Sequence, residues 1–186
     1  MFSHGANPVF KLLDDGTCRV YFTCRDSESR SYIAYLDLDF ENDFNIVYIS
    51  EEPVLSPGDL GLFDDSGVVM GCFQNVRESD YLYYLGWNLK VTVPLLNTIG
   101  VAVYDKESNT YLKNSKAPMM DRSNEDPYSI SYPFVLFDNG VYKMWYGSNL
   151  SWGRDQASMQ HVFKYAESTD GINWDRKNII AVGLEH

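Results

Sequence analysis

The chain has 186 residues, of which 45% are hydrophobic and 15% aromatic, and its formal net charge is −11. This apolar content excludes a disordered tail. The negative charge excludes nucleic acid as an expected partner, because a phosphate backbone would be repelled. No apolar run reaches the roughly 18 residues of a membrane-spanning helix, so we expect no membrane association either.

The ends of the chain and its cysteines bear on location. The first five residues have neither the basic nor the apolar region of a signal peptide. Cys18, Cys24 and Cys72 have neither a disulfide-framework spacing nor a metal-ligand spacing. We therefore expect a cytoplasmic protein without a metal or other cofactor. Residues 184–186 resemble the start of a cloning tail, which leaves residues 1–183 as a single domain.

Three similar units follow one another, at about residues 4–55, 56–120 and 121–183. Each contains four short apolar stretches rich in Tyr, Phe and Trp, which favour β-strands. In chain order the stretches are 8–10, 18–22, 32–36 and 44–46, then 68–70, 81–85, 98–102 and 110–112, then 133–136, 142–146, 162–166 and 172–174. Aligning Phe22, Leu85 and Tyr146 makes the two steps between successive units nearly equal in length.

Turn residues separate these stretches. Asp14–Gly16 and Asp138–Gly140 are typical of tight hairpins, because Asn, Asp and Gly tolerate the positive φ that such turns require. A four-stranded meander repeated at this period predicts β-propeller blades, whereas a β-sandwich is the alternative. The expected fold is all-β, with three four-stranded antiparallel sheets packed face to face.

The number of blades raises a question about closure. Propellers close with roughly 4–8 blades, so three blades leave two open faces. Further sequence, a partner chain or an unusual arrangement would have to cover these faces. We expect a homo-oligomer that forms through the exposed blade faces.

Three stretches resemble a known group of proteins. Ala166–Trp174 is similar to the strand–turn–strand motif A-x-S-x-D-G-x-x-W of five-bladed propeller glycosidases. Tyr142–Gly147 resembles their Y-x-M-W-Y-S/G strand, and Pro53–Gly58 followed by Phe63–Gly67 resembles their link between blades. The group includes glycoside hydrolase families 32, 43, 68 and 130. The resemblance implies that this chain corresponds to the first three of five blades.

Glycoside cleavage needs two carboxyl groups, one to protonate the leaving oxygen and one to activate water or attack carbon. The resemblance implies that the segments entering the inner strands line an axial pocket. Asp65 precedes Leu85 by the same interval as Asp126 precedes Tyr146, so we predict Asp65 and Asp126 as the catalytic pair. Asp64 and Glu125 are the adjacent alternatives, because an error of one residue exchanges the two faces of a strand.

Other polar residues on the same segments are candidates for substrate binding. Arg122 could bind a carboxylate or phosphate, His4 could hydrogen-bond a hydroxyl, and aromatic rings such as Trp87 and Trp145 could stack on a sugar. The predicted substrate-binding residues are His4, Asn7, Asp64, Arg122, Glu125 and Tyr128.

The family pattern is altered at two positions. Family 43 members have Asp-Pro before the first blade, with that Asp as the base, whereas this chain has Asn7-Pro8. Their general-acid Glu before the third blade has no counterpart in Ser131–Pro133.

The leading hypothesis is a glycoside hydrolase-like protein that cleaves or binds glycosides in the axial pocket. The alternatives are a non-catalytic sugar-binding or interaction module, an inactive fragment of a longer glycosidase, and a phosphorylase.

Overall fold

The structure is a computed structural model that describes residues 3–153 and 159–184. The described residues form an all-β fold, as the sequence predicts. Residues 185 and 186 of the expected cloning tail lie outside them. The strands are β1 (Ser3–Leu12), β2 (Cys18–Arg25), β3 (Ser31–Asp39), β4 (Asn45–Ile49), β5 (Gly67–Val76), β6 (Ser79–Leu89), β7 (Leu95–Asp105), β8 (Thr110–Lys113), β9 (Ile130–Asp138), β10 (Val141–Ser151), β11 (Gln160–Ser168) and β12 (Asp175–Val182).

Each group of four consecutive strands forms one antiparallel meander, which we call blade one (β1–β4), blade two (β5–β8) and blade three (β9–β12). One parallel pair, Ser31 with Gly67, joins blades one and two. The strands of blade three pair only with one another among the described residues. The predicted fold of three four-stranded sheets is therefore confirmed.

Side-chain hydrogen bonds correct the alignment of the units. The Tyr84 hydroxyl donates to Asp64 and the Tyr146 hydroxyl donates to Asp126, and both pairs are 20 residues apart, so these two tyrosines occupy equivalent positions in blades two and three. The equivalent residues are then Phe22, Tyr84 and Tyr146, which are equally spaced along the chain. The alignment through Leu85 was therefore wrong, because it took the neighbour of the equivalent residue.

The apolar core lies between the blades and forms two clusters. Tyr21 and Tyr35 of blade one pack with Leu82 and Tyr84 of blade two. Between blades two and three, the buried side chains include Tyr83, Ile99, Met144 and Tyr146. The Tyr83 hydroxyl donates to the carbonyl oxygen of Gly171 at 2.8 Å, so a hydrogen bond also links these two blades.

Blade three leaves its outer face uncovered within the chain. A row of paired residues crosses this face, and its members are Phe134, Trp145, Tyr165 and Ile179. Trp145 is partly exposed, whereas the residues at its position in the preceding blades, Tyr21 and Tyr83, are buried between blades. Phe134, which pairs with Trp145, is 57% exposed. No helix in the described part of the chain is long and apolar enough to cross a membrane.

Candidate functional site

The first strands of the three blades are irregular where they line a shared cavity. The ladder between β1 and β2 is irregular from Ala6 to Val9, the ladder between β5 and β6 is irregular at Gly71, and the ladder between β9 and β10 is irregular at Tyr132 and Pro133. These equivalent segments line one cavity of about 250 Å³. Its lining residues are Asn7, Pro8, Val9, Met70, Gly71, Tyr132, Pro133 and Phe134. All three blades therefore contribute their inner strand to the cavity.

Two adjoining cavities, of about 130 Å³ and 280 Å³, share Leu95, Asn97 and Tyr132. The smaller also contains Arg25, Val69, Leu85 and Trp87. The larger also contains Ser131, Asn149, Trp152, Met159 and His161. Because Tyr132 lines all three cavities, we treat them together as the axial groove.

Most polar residues of the axial groove occupy equivalent positions of the repeat. Arg25, Trp87 and Asn149 lie at or near the ends of the second strands and are equally spaced along the chain. Asn97 and His161, on the third strands, are the register partners of Trp87 and Asn149. Each blade thus presents a different side chain at the same place.

Local contacts hold these side chains in position. The Trp87 indole N–H donates to the Ser31 hydroxyl at 2.7 Å, and the Arg25 guanidinium lies 5.7 Å from the centre of the Trp87 ring. The Asn149 amide donates to the Met159 sulfur at 3.0 Å. The Trp87 ring and the Asn149 amide of the groove are therefore preorganised by contacts within the chain.

Tyr132 has an unusual backbone. Its φ of 47° lies in the left-handed region, which is costly for an aromatic residue and amounts to about 1–3 kcal/mol. Asn7, its equivalent in blade one, has a φ of 51°, which asparagine tolerates better. Tyr132 is 52% exposed and lines the groove. Strained residues of this kind cluster at functional sites.

The axial groove contains no carboxylate among the residues that the structure describes. Its ionisable side chains are those of Arg25, Tyr132 and His161. No group of three His, Cys, Asp or Glu within residues 3–153 and 159–184 is placed to hold a metal ion. The described residues of the groove can contact a ligand by stacking and by hydrogen bonding.

Asp126 lies outside the groove, in a buried cluster on one side of blade three. One carboxylate oxygen accepts from Ser148 at 2.6 Å and pairs with Lys164 at 3.0 Å. The other accepts from Tyr146 at 2.9 Å and from Arg176 at 3.3 Å. These partners belong to the second, third and outermost strands of blade three.

The electrostatics of Asp126 suit an anchoring role. Burial raises the pKa of this carboxyl, but the hydrogen bonds from Ser148, Lys164 and Tyr146 outweigh it, so the pKa is lowered overall. A general acid needs a raised pKa, and here both oxygens are already occupied. Asp126 therefore ties the segment before blade three to that blade.

Asp64 is the counterpart of Asp126 in blade two. It is fully buried, accepts a hydrogen bond from the Tyr84 hydroxyl at 3.1 Å, and pairs with Lys113 at 2.6 Å. Asp65 lies in a turn, where it accepts from the Gly61 amide and the Ser66 hydroxyl. Asp65 and Asp126 share neither a cavity nor a hydrogen-bond partner in the described structure, and their catalytic assignment stays a prediction.

Of the predicted substrate-binding residues, Asn7 lines the axial groove. Asp64 belongs to its ion pair and lines a separate cavity beside Lys113. The other four lie on exposed segments and line none of the three cavities of the groove. These four are His4, Arg122, Glu125 and Tyr128.

Sequence reasoning named Trp87 but missed much of the groove. The missed residues include Arg25, Asn97, Asn149, Trp152 and His161. The repeat itself contained a usable signal, because one repeat length from Trp87 leads back to Arg25 and forward to Asn149. Aligning Leu85 instead of Tyr84 shifted the second unit by one residue and hid this equal spacing.

The solved structures that share this fold are glycoside hydrolase-like β-propeller enzymes. Sucrose-6-phosphate hydrolase from Lactobacillus gasseri matches with a TM-score of 0.72 and 15% identity, over 97% of this chain and 35% of its own. A family 117 glycoside hydrolase from Zobellia galactanivorans matches with a TM-score of 0.73 and 13% identity, over 99% of this chain and 59% of its own. At these identities the likeness defines the fold.

Two relatives are closer in sequence. They are uncharacterised proteins from two strains of Mycobacterium tuberculosis, and each is 41% identical to this chain over 180 residues. The match covers 97% of this chain but 60% of each relative, so the chain spans about three fifths of their length. No protein-family model matches the chain.

Proposed function

We propose that this chain is the carbohydrate-binding part of a glycosidase-type propeller and that the axial groove is its binding site. The observation that carries the proposal is the convergence of Trp87, Tyr132, Trp152 and three asparagines on contiguous cavities at the blade ends. Rings offer apolar faces to sugar rings, and amides both donate to and accept from hydroxyls. The glycosidase fold of the structural neighbours supports the same class of ligand.

A calorimetric titration of the chain with a panel of mono- and oligosaccharides tests this proposal. We expect Trp87→Ala to weaken binding on the order of fivefold to tenfold, because a ring face is lost from the groove. Trp145→Ala is the matched control, since Trp145 lies on the open face of blade three and lines none of the groove cavities. Equal losses in both variants, or binding unaffected by Trp87→Ala, would contradict the proposal.

Bond cleavage is the second candidate function, and the fold of the neighbouring enzymes favours it. Cleavage needs two carboxyl groups, which the described groove does not contain. We propose that a longer protein would supply them from sequence beyond the three blades. The 186-residue chain should then bind without turning over aryl glycosides. Robust turnover that is lost in Asp65→Asn would instead establish the chain as an enzyme.

A further inference from the structure

The charge of the axial groove is opposite to the charge of the whole chain. The chain has 26 Asp and Glu against 15 Lys and Arg, yet no carboxylate lines the groove within the described ranges. Arg25 lies in the small cavity and His161 in the large one, and Asn97 lines both. A ligand seated on Asn97 in the small cavity therefore shares that cavity with the cationic side chain of Arg25.

Arg25 is well placed to receive an anion. Its guanidinium donates to the Ser29 carbonyl oxygen at 2.8 Å and lies over Trp87, which restricts its orientation. None of the described carboxylates lies within 4.0 Å of it as an ion-pair partner. Four other cations, Arg19, Lys113, Lys164 and Arg176, are in contrast already paired with Asp37, Asp64 or Asp126.

We propose that the groove selects a saccharide that bears an anionic group, a phosphate or a carboxylate, and that Arg25 is its counter-ion. This inference rests on the proposed carbohydrate-binding function. A guanidinium presents parallel N–H donors that match both anions, and its orientation by Trp87 reduces the entropy lost on binding. The sugar ring then lies towards Trp87, Asn97 and Tyr132, the other members of the same cavity that can hydrogen-bond.

The test compares three probes of one ring type, a neutral hexose, a hexose phosphate and a hexuronate, by calorimetry on the full chain. Wild type should bind one or both anionic probes more tightly than the neutral probe. Arg25→Gln should weaken anionic binding on the order of tenfold or more and leave the neutral probe within about twofold, because only the charged hydrogen bonds are lost. Arg25→Lys should recover part of the affinity as a point charge.

Arg77→Gln is the control, because Arg77 is exposed and lines none of the three cavities of the groove. Its binding should equal that of wild type. Preference for one anionic probe identifies phosphate or carboxylate as the recognised group. Equal affinity for neutral and anionic probes would overturn the inference and leave the carbohydrate proposal standing, whereas no binding of any probe would overturn both. A thermal unfolding curve for each variant separates lost contacts from lost folding.

Discussion

At the scale of single residues, Asp126 lies at the centre of a buried charge cluster. Asp126 neutralises Lys164 and Arg176, whose side chains are 5% and 14% exposed. Asp126→Asn should lower the free energy of unfolding by about 3–5 kcal/mol, since it leaves buried cations without a counter-charge. Denaturant unfolding measures the change. Asp65→Asn, in a turn, should stay within about 0.5 kcal/mol and is the control.

The pH dependence of unfolding supplies a second readout of the same cluster. The pKa of Asp126 is lowered in the folded state, so its contribution to stability is present above its ordinary value of 3.8 and is lost as the pH falls through the folded value. Wild type should therefore lose stability more steeply than Asp126→Asn below about pH 3.8. Parallel acid profiles, or an equal cost in Asp65→Asn, would contradict the anchoring role.

At the scale of strands, the irregularity of β5 depends on the absence of a side chain at Gly71. A Cβ there would lie 2.4 Å from the carbonyl oxygen of Tyr83 and 2.9 Å from Cγ of Pro133. Gly71→Ala should thus destabilise the chain by about 1–3 kcal/mol, as overpacking does, because backbone atoms cannot move aside easily. Thermal unfolding tests this expectation. In Gly5→Ala, where the added Cβ would come no closer than 4.0 Å to the Phe22 ring, the midpoint should barely change.

Much of the strand pattern could be predicted from sequence, because the Asp138–Gly140 turn and the alternation of apolar residues are local signals. The register of β6 could not. Tyr83 and Tyr84 are adjacent aromatic residues that point to opposite faces, and both faces of blade two are buried. Burial on both sides removes the contrast between apolar and polar residues that fixes register elsewhere, so Leu85 and Tyr84 could not be distinguished.

The composition of the groove was also beyond local pattern reasoning. Its residues share a repeat position but no residue type, since Arg25, Trp87 and Asn149 differ in charge, size and polarity. A search for motifs finds positions at which the repeats have similar residues. The groove consists of positions at which the repeats have different residues, so such a search does not find it. Asn7 was predicted because it occupies the position of the Asp in the Asp-Pro pair of family 43, although its own residue type differs.

At the scale of the whole molecule, the open face of blade three predicts self-association of the chain. The row from Phe134 to Ile179 exposes aromatic and aliphatic surface that a neighbouring sheet would cover. Light scattering at micromolar concentration should give a mass above that of a 21.3 kDa monomer. Phe134→Lys should shift the chain towards monomer, and Tyr128→Lys, outside this row, should not. A stable wild-type monomer would contradict the prediction.

The left-handed backbone at Tyr132 has a consequence for the order of events on binding. A residue whose local geometry is costly is held only by its surroundings, here the ladder to β10 and the contact of Pro133 with β5. A ligand that packs on the Tyr132 ring would further stabilise this conformation. Ligand binding in the groove should therefore also stabilise the contacts between blades two and three. We expect hydrogen exchange at the backbone amides of β9, which packs against blade two, to slow when a sugar binds.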